Sequence, residues 1–419
     1  GMPATDRTIV VEHWIRHGNV LSQVTIATDP VYLTEPYIRS QEFVQMERGN
    51  QNWLYNCEYA MELPKDKNEV PHYLPGQNPW LGEFEAKHAM PKEGVRGGAE
   101  TLLPDWKPGA PRAATNPAKN GGFKPEVLPA RLAAGEVKSV PVQGNVHMIV
   151  GAGANIAVQV GEDGIVVVDT GNGAANDKVL AAIKELAPTK EIRWIINTGA
   201  QPDHIGGNEP FAKAGRTVNG NIAAIVAHEN ASARMSKAGV ADTARPFNTY
   251  FEEKRDFPFN GEPIMLFHDE SALDDAGTLV MFRRSDVIAA GDLFSTVSYP
   301  KIDVAAGGSV QGTIDGLNRI LDLAVPSKSL ALGGTWVIPG HGRISDEHDV
   351  VMYRDMLQII SDRIKDMVAK KMTLEQVKAA KPTLDYDARY GSDTGPWTTA
   401  MFVEAVYRDL SKGGASATR

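Results

Sequence analysis

The chain has 419 residues, 42% hydrophobic and 23% charged, the make-up of a soluble globular protein, and its length points to two domains or one large domain with an appendage. A formal net charge of -9 leaves no excess of Lys and Arg to neutralise phosphates. This argues against a general nucleic-acid binder, and a small-molecule substrate or ligand is expected.

The single cysteine, Cys57, rules out an internal disulfide and any multi-cysteine metal site. With no His-plus-acid context around it, it reads as a small buried hydrophobe. Gly1-Met2 reads as a cloning remnant ahead of a native start, and the polar stretch Pro3 to Arg7 is no signal-peptide core. No run of about 20 apolar residues is present, so no membrane partner is expected. A cytoplasmic location is the default, although a trimmed leader would leave the same sequence.

In chain order, Thr8 to Arg16 and Val20 to Thr28 are rich in β-branched residues and flank His17-Gly18-Asn19, which predicts a β-hairpin. His13 and His17 read as solvated hairpin residues rather than ligands. Asp29-Pro30 and Glu35-Pro36 then break the chain, and Asn52 to Glu62 is a mixed polar and aromatic segment. These features define an N-terminal β-rich extension, 1–62. From 63 to 137 the composition shifts to Pro, Gly, Lys and Asn, as in W-K-P-G-A-P-R-A-A-T-N-P, and predicts a long connector that wraps over a neighbouring surface.

From 138 to 345 the pattern is that of a packed domain. Val146 to Val150, Asn155 to Val160 and Ile165 to Asp169 read as an antiparallel meander punctuated by glycine-containing turns. Asn176 to Ala187 places Val179, Leu180, Ile183 and Leu186 at helical spacing. The apolar run Trp194 to Ile196 predicts a buried strand ending in a polar turn with Asp203 and His204 ahead of a Gly-Gly pair. A short helix near Glu209 to Ala214, a strand at Ala223 to Ala227 and a helix from about Glu229 follow. Strands at Thr278 to Arg283 and Asp286 to Ala290, a helix from Val310 to Leu323 and a strand at Thr335 to Ile338 complete this region. The last part, 346–419, is helical: Val350 to Ala369 carries an apolar stripe, Thr373-Leu374-Glu375-Gln376 is a capping-box start, and a third helix runs from Thr398 to Leu410. These helices are expected on the outer face or at a subunit contact, and with the connector they suggest a homodimer.

Asn197-Thr198 through Pro202-Asp203-His204 to Gly206-Gly207-Asn208 resembles the signature loop of the metallo-β-lactamase superfamily, T-H-x-H-x-D-H-x-G-G. The resemblance spans about Val142 to Arg343 and recurs at separate places: Val168-Asp169-Thr170-Gly171, Ala290 to Phe294 around Asp292, and Ile338 to Gly342 around His341. It implies an α/β (α+β) fold, the family's αββα sandwich, carrying the N-terminal extension and the C-terminal helices as additions. It also implies metal ligands at Asp203, His204 and His341, with Asp292 between two ions, and Asp169 orienting the loop beneath them.

Three positions depart from the family pattern. The first two histidine positions hold Gly199 and Gln201, and the mid-chain histidine position falls near Leu273. What remains suffices for one divalent ion, expected to be zinc, with an open position. His268 is a tempting replacement for the histidine lost at Leu273, but a core or surface histidine is the expected reading. His228 reads as a helix-start residue near the surface, and Asp274 and Asp275 as solvated, the alternative being that one of the two reaches the cavity.

Two functions follow from these residues. One is a mononuclear hydrolase of a small-molecule ester, amide, thioester or phosphoester, with Asp203 and His204 as catalytic residues acting through a metal-activated water. The other is an inactive pseudoenzyme that kept the sandwich as a ligand-binding or interaction module. A third reading, a scaffold built on the N-terminal extension, has only the composition of that extension behind it.

Overall fold

A computed structural model describes residues 8–31, 33–44, 70–79, 86–87, 91, 94, 107, 135–326 and 334–416. The chain divides into two compact units, one of 1–60 and 75–122, the other of 61–74 and 123–419. Cys57, the segment 52–62 and most of the expected connector lie outside the described residues.

In the smaller unit, β1 (Ile9–His17), β2 (Val20–Thr28) and β3 (Tyr37–Val44) form an antiparallel sheet in that order. The expected hairpin turns at Gly18-Asn19, with Gly18 at φ 61° and His17 paired to Val20. The third strand was not foreseen. It is the alternating run after Pro36, whose Ile38 lies abreast of Ile26 and Val11. His13 and His17 are exposed on β1.

The larger unit opens with the meander β4 (Lys138–Gln143), β5 (Val146–Val150), β6 (Ile156–Gly161) and β7 (Gly164–Val168). Helix α1 (Asn176–Leu186) crosses over to β8 (Ile192–Ile196), and helices α2 (Pro202–Ile205) and α3 (Asn208–Ala214) cross to β9 (Ala224–His228). Helix α4 (Glu229–Lys237) leads to β10 (Asn248–Tyr250). Strands β7 to β10 run parallel, so this seven-stranded sheet has the order β10-β9-β8-β7-β6-β5-β4.

The second sheet has the order β11 (Lys254–Phe259), β12 (Glu262–Asp269), β13 (Gly277–Phe282), β14 (Val287–Ser295), β15 (Trp336–His341). Helix α5 (Val310–Leu323) supplies the crossover that makes β14 and β15 parallel. Four helices follow: α6 (Glu347–Ala369), α7 (Leu374–Ala380), α8 (Asp387–Tyr390) and α9 (Thr399–Ser416). The expected capping box is present, with Thr373 and Gln376 each accepting from the other's backbone.

Strand alternation sorts the core into layers. On β7, Val166 and Val168 face the second sheet with Ile196, Val280 and Ile338, while Ile165 and Val167 face outward against Val179, Ile183 and Phe211 of α1 and α3. The outer face of the second sheet is covered by α5, α6 and α9 through Ile314, Leu317, Met356, Ile360 and Phe402. Helix, sheet, sheet and helix therefore stack as the αββα sandwich, with the N-terminal three-stranded sheet and the C-terminal helices as its additions. Among the described residues no helix is long and apolar enough to cross a membrane.

Candidate metal centre

The site forms where the C-terminal ends of β7, β8, β14 and β15 meet. Strand β8 ends at Ile196, and Asn197 behind it exchanges two amide hydrogen bonds with Asn208, of 3.0 and 2.9 Å. This buried clasp closes the signature loop into a tight turn around α2, which Pro202 starts at its first helical position. The glycine pair is a spacing requirement. A Cβ on Gly206 would sit 2.4 Å from the carbonyl carbon of Asn172, so only glycine lets the loop approach the turn after β7.

The β7 turn carries Asp169, in the left-handed conformation at φ 61° and almost fully buried. It accepts hydrogen bonds from the Thr198 N–H (2.8 Å) and hydroxyl (2.7 Å) and lies 2.7 Å from His204 Nδ1. Asp169 is thus an orienting residue, as the sequence led us to expect. With Nδ1 engaged, His204 turns Nε2 towards the cleft. There it lies 3.1 Å from Asp292 Oδ1, buried and without a hydrogen bond.

His341, the last residue of β15, brings Nε2 to 3.2 Å from Asp203 Oδ2 and 3.4 Å from Asp292 Oδ1. Asn155 fixes this turn by donating from its amide to the carbonyls of Pro339 (2.9 Å) and Gly342 (3.0 Å). Gly340 allows β14 to come close, since a Cβ there would meet the Gly291 backbone at 2.7 Å and Asp292 Oδ1 at 2.9 Å. One ligand atom each from Asp203, His204 and His341 lies within 4.8 Å of the others. These three make a His/Asp group of the size a metal ion needs. Asp292 stands beside both imidazoles but is not part of that compact set. The His204 Nε2, buried and without a hydrogen bond although Asp292 Oδ1 lies 3.1 Å away, is the observation that fits this group to an ion, because a buried ring nitrogen with no hydrogen bond is costly.

The charges are strongly coupled. For His204, burial is the largest influence and lowers the pKa, but the carboxylates of Asp292 and Asp169 outweigh it and hold the ring well above its ordinary value. Burial also lowers His341, and Asp203 and Asp292 together bring it up to about 8. Burial raises Asp292, yet His204, His341 and Lys301 hold it well below the usual carboxylate range. Asp203 is lowered chiefly by its hydrogen bond to His341.

The subsite whose family ligands are missing is filled differently. Gly199, Gln201, Leu273, Asp274 and Asp292 border a cavity of about 20 Å³, room for roughly one water molecule. The Gln201 amide donates to Asp274 Oδ2 at 3.3 Å. Asp274 is buried rather than solvated as its sequence context suggested, accepting the Ala276 N–H at 2.8 Å. Asp275 is partly exposed, in keeping with the expectation of a solvated residue, and pairs with Arg234 at 2.7 Å.

His268 is a core histidine. It stacks on His228 with ring centroids 3.5 Å apart and a 7° interplanar angle, and its Nε2 lies 2.9 Å from the Asp275 carbonyl. It therefore does not replace the missing ligand. His228 caps α4 as expected, but it is buried rather than near the surface. Sequence reasoning missed Lys301, whose Nζ is 3.5 Å from Asp292 Oδ2. Its one signal is a lone basic residue between two apolar anchors, Tyr299 and Ile302.

Comparison with known proteins bears on the fold. A family model described as the metallo-beta-lactamase superfamily matches residues 149–347. No curated protein matches this chain. A metallo-beta-lactamase from Pontibacter korlensis shares 15% identity, covering 53% of this chain and 99% of its own at a TM-score of 0.43. A stereoselective inverting sec-alkylsulfatase from Pseudomonas sp. shares 15% identity over 65% of this chain and 50% of its own, with a TM-score of 0.49. A double mutant of the sec-alkyl sulfatase gives the same identity and coverage at a TM-score of 0.50. This chain thus aligns with only half the length of the sulfatase, and at such identity the likeness is one of fold. Residues 149–347, which hold most of both sheets and all four of the converging side chains, belong to the metallo-beta-lactamase superfamily.

Proposed function

We propose that the protein is a metal-dependent hydrolase working with one divalent ion, zinc, held by Asp203, His204 and His341. The observation that carries this reading is the convergence of their ligand atoms within 4.8 Å around a buried imidazole nitrogen that has no hydrogen bond. One carboxylate and two imidazoles are a donor set that suits zinc and leaves a coordination position open. When bound there, the ion supplies Lewis acidity and brings a water towards a pKa of about 7.

The chain's own residues have separate tasks. Asp169 engages Nδ1 of His204, so that Nε2 presents its lone pair to the cleft when an ion takes the place of its proton. Asp292, ionised between two imidazoles, provides a further carboxylate for orienting a water. Asp203 and His341, each about one third exposed, form the side of the site that a substrate can reach. The substrate class that follows is an ester, amide, thioester or phosphoester of a small molecule.

Elemental analysis of purified protein tests this reading. Stoichiometric zinc, lost in Asp203→Ala and in His341→Ala, is expected, together with hydrolysis of a member of a thioester and phosphodiester panel. Protein that takes up no added zinc would sink it. The water-sized cavity in place of the other ion supports the second reading, a pseudoenzyme, and metal-free protein that still binds a small ligand is its outcome.

A further inference from the structure

Lys301 belongs to none of the motifs, yet its position is well determined. It lies in the 296–303 loop after β14, between the buried side chains of Tyr299 and Ile302. The Tyr299 N–H donates to the Tyr390 carbonyl at 3.2 Å, and the Asp303 N–H donates to the Leu273 carbonyl at 2.7 Å. The loop is therefore tied to the position where the family histidine is replaced. Asp292 divides its two oxygens between different neighbours. Oδ1 faces the imidazoles of His204 and His341, at 3.1 and 3.4 Å. Oδ2 faces the Lys301 ammonium at 3.5 Å and makes no hydrogen bond.

We propose that Lys301 is the counter-cation of this site, set against the Asp292 oxygen turned away from the imidazoles, and that it weakens the hold on a divalent ion. The inference rests on the reading of Asp203, His204 and His341 as ligands. The physical argument is charge. A carboxylate already neutralised by an ammonium attracts a dication less, and the ammonium repels the ion directly. Both effects have the same sign. With Lys301 39% exposed, solvent screens the interaction, which sets the expected effect at roughly tenfold rather than the larger factor of a dry interior.

The test is zinc affinity of the full chain by competition with a chromophoric chelator, for wild type, Lys301→Met, Lys301→Gln and Lys301→Arg. The two neutral variants should bind zinc about tenfold more tightly, Lys301→Arg should stay within about twofold of wild type, and the difference should shrink as salt is raised. Wild type that binds zinc while neither neutral variant binds it more tightly overturns the role of Lys301 and leaves the metal site standing. Wild type without zinc but neutral variants that take it up uphold the counter-cation and overturn the native enzyme as a zinc protein. No uptake in any of the four overturns both.

Discussion

Asp169 and His204 form the buried pair on which the centre depends, with the carboxylate 2.7 Å from Nδ1. Three contacts hold that carboxylate, and its left-handed backbone, φ 61°, is one that Asn also tolerates. Asp169→Asn therefore keeps the turn while removing the negative charge behind the imidazole. Its zinc affinity is expected to fall about 10- to 100-fold, the usual effect of losing a partner behind a ligand. Chelator competition measures it, and an unchanged affinity with unchanged circular dichroism would show that His204 is oriented by something else.

Asn155 links β6 to the turn that ends in His341. Truncation in Asn155→Ala leaves the carbonyls of Pro339 and Gly342 without the amide that meets them at 2.9 and 3.0 Å. The expected loss is about 1–3 kcal/mol of stability, read from the midpoint of denaturant unfolding, with His341 the site residue most affected. A midpoint equal to that of wild type would mean that solvent replaces both bonds.

These two residues mark what a single sequence could and could not tell. The sandwich was legible wherever period and caps were clean: β5 to β7 of the meander, α1, the α5 helix and the Thr373 capping box. Strands β11 and β12 escaped because their signals conflict. β11 is an edge strand carrying Lys254, Arg255, Asp256 and Pro258, all features that keep an edge from pairing further. The carboxylate and imidazoles of the site were legible because each sits in a short motif at a strand end. Lys301, Arg234 and the buried state of Asp274 were not, since each depends on a loop packed against a distant one.

Asp269 gives the protein a pH dependence with a definite sign. It stands at the end of β12 beside the water-sized cavity, where burial pushes its carboxyl up to about 7, against the pull of the Ser271 N–H and Arg319. In the unfolded chain it ionises at the ordinary value near 4. Between these values the folded form binds the extra proton, so stability falls as pH rises from about 4 to 7 and is level above that. Asp269→Asn removes the penalty. The variant should gain roughly 2 kcal/mol over wild type at pH 8, a figure discounted for the solvent this half-buried side chain still meets, and little at pH 4. A gain independent of pH would assign the effect to packing instead.

The C-terminal helices hold the site's loop as well as covering the second sheet. Tyr299 stacks on Phe402 of α9, ring centroids 4.5 Å apart and 3° from parallel. Its hydroxyl donates to Asp387 Oδ1 at 2.9 Å, and the Tyr353 hydroxyl of α6 donates to the Ser298 carbonyl at 2.9 Å. Phe402 is fully buried in the same core as Ile314 and Leu317 of the sandwich helix α5. Phe402→Ala is therefore expected to cost about 3–5 kcal/mol and to lower the melting temperature of the sandwich and the C-terminal helices together, in one transition. Calorimetry showing a low-temperature transition separate from an unshifted main one would mean that α9 unfolds independently and that the Lys301 loop keeps its shape without it.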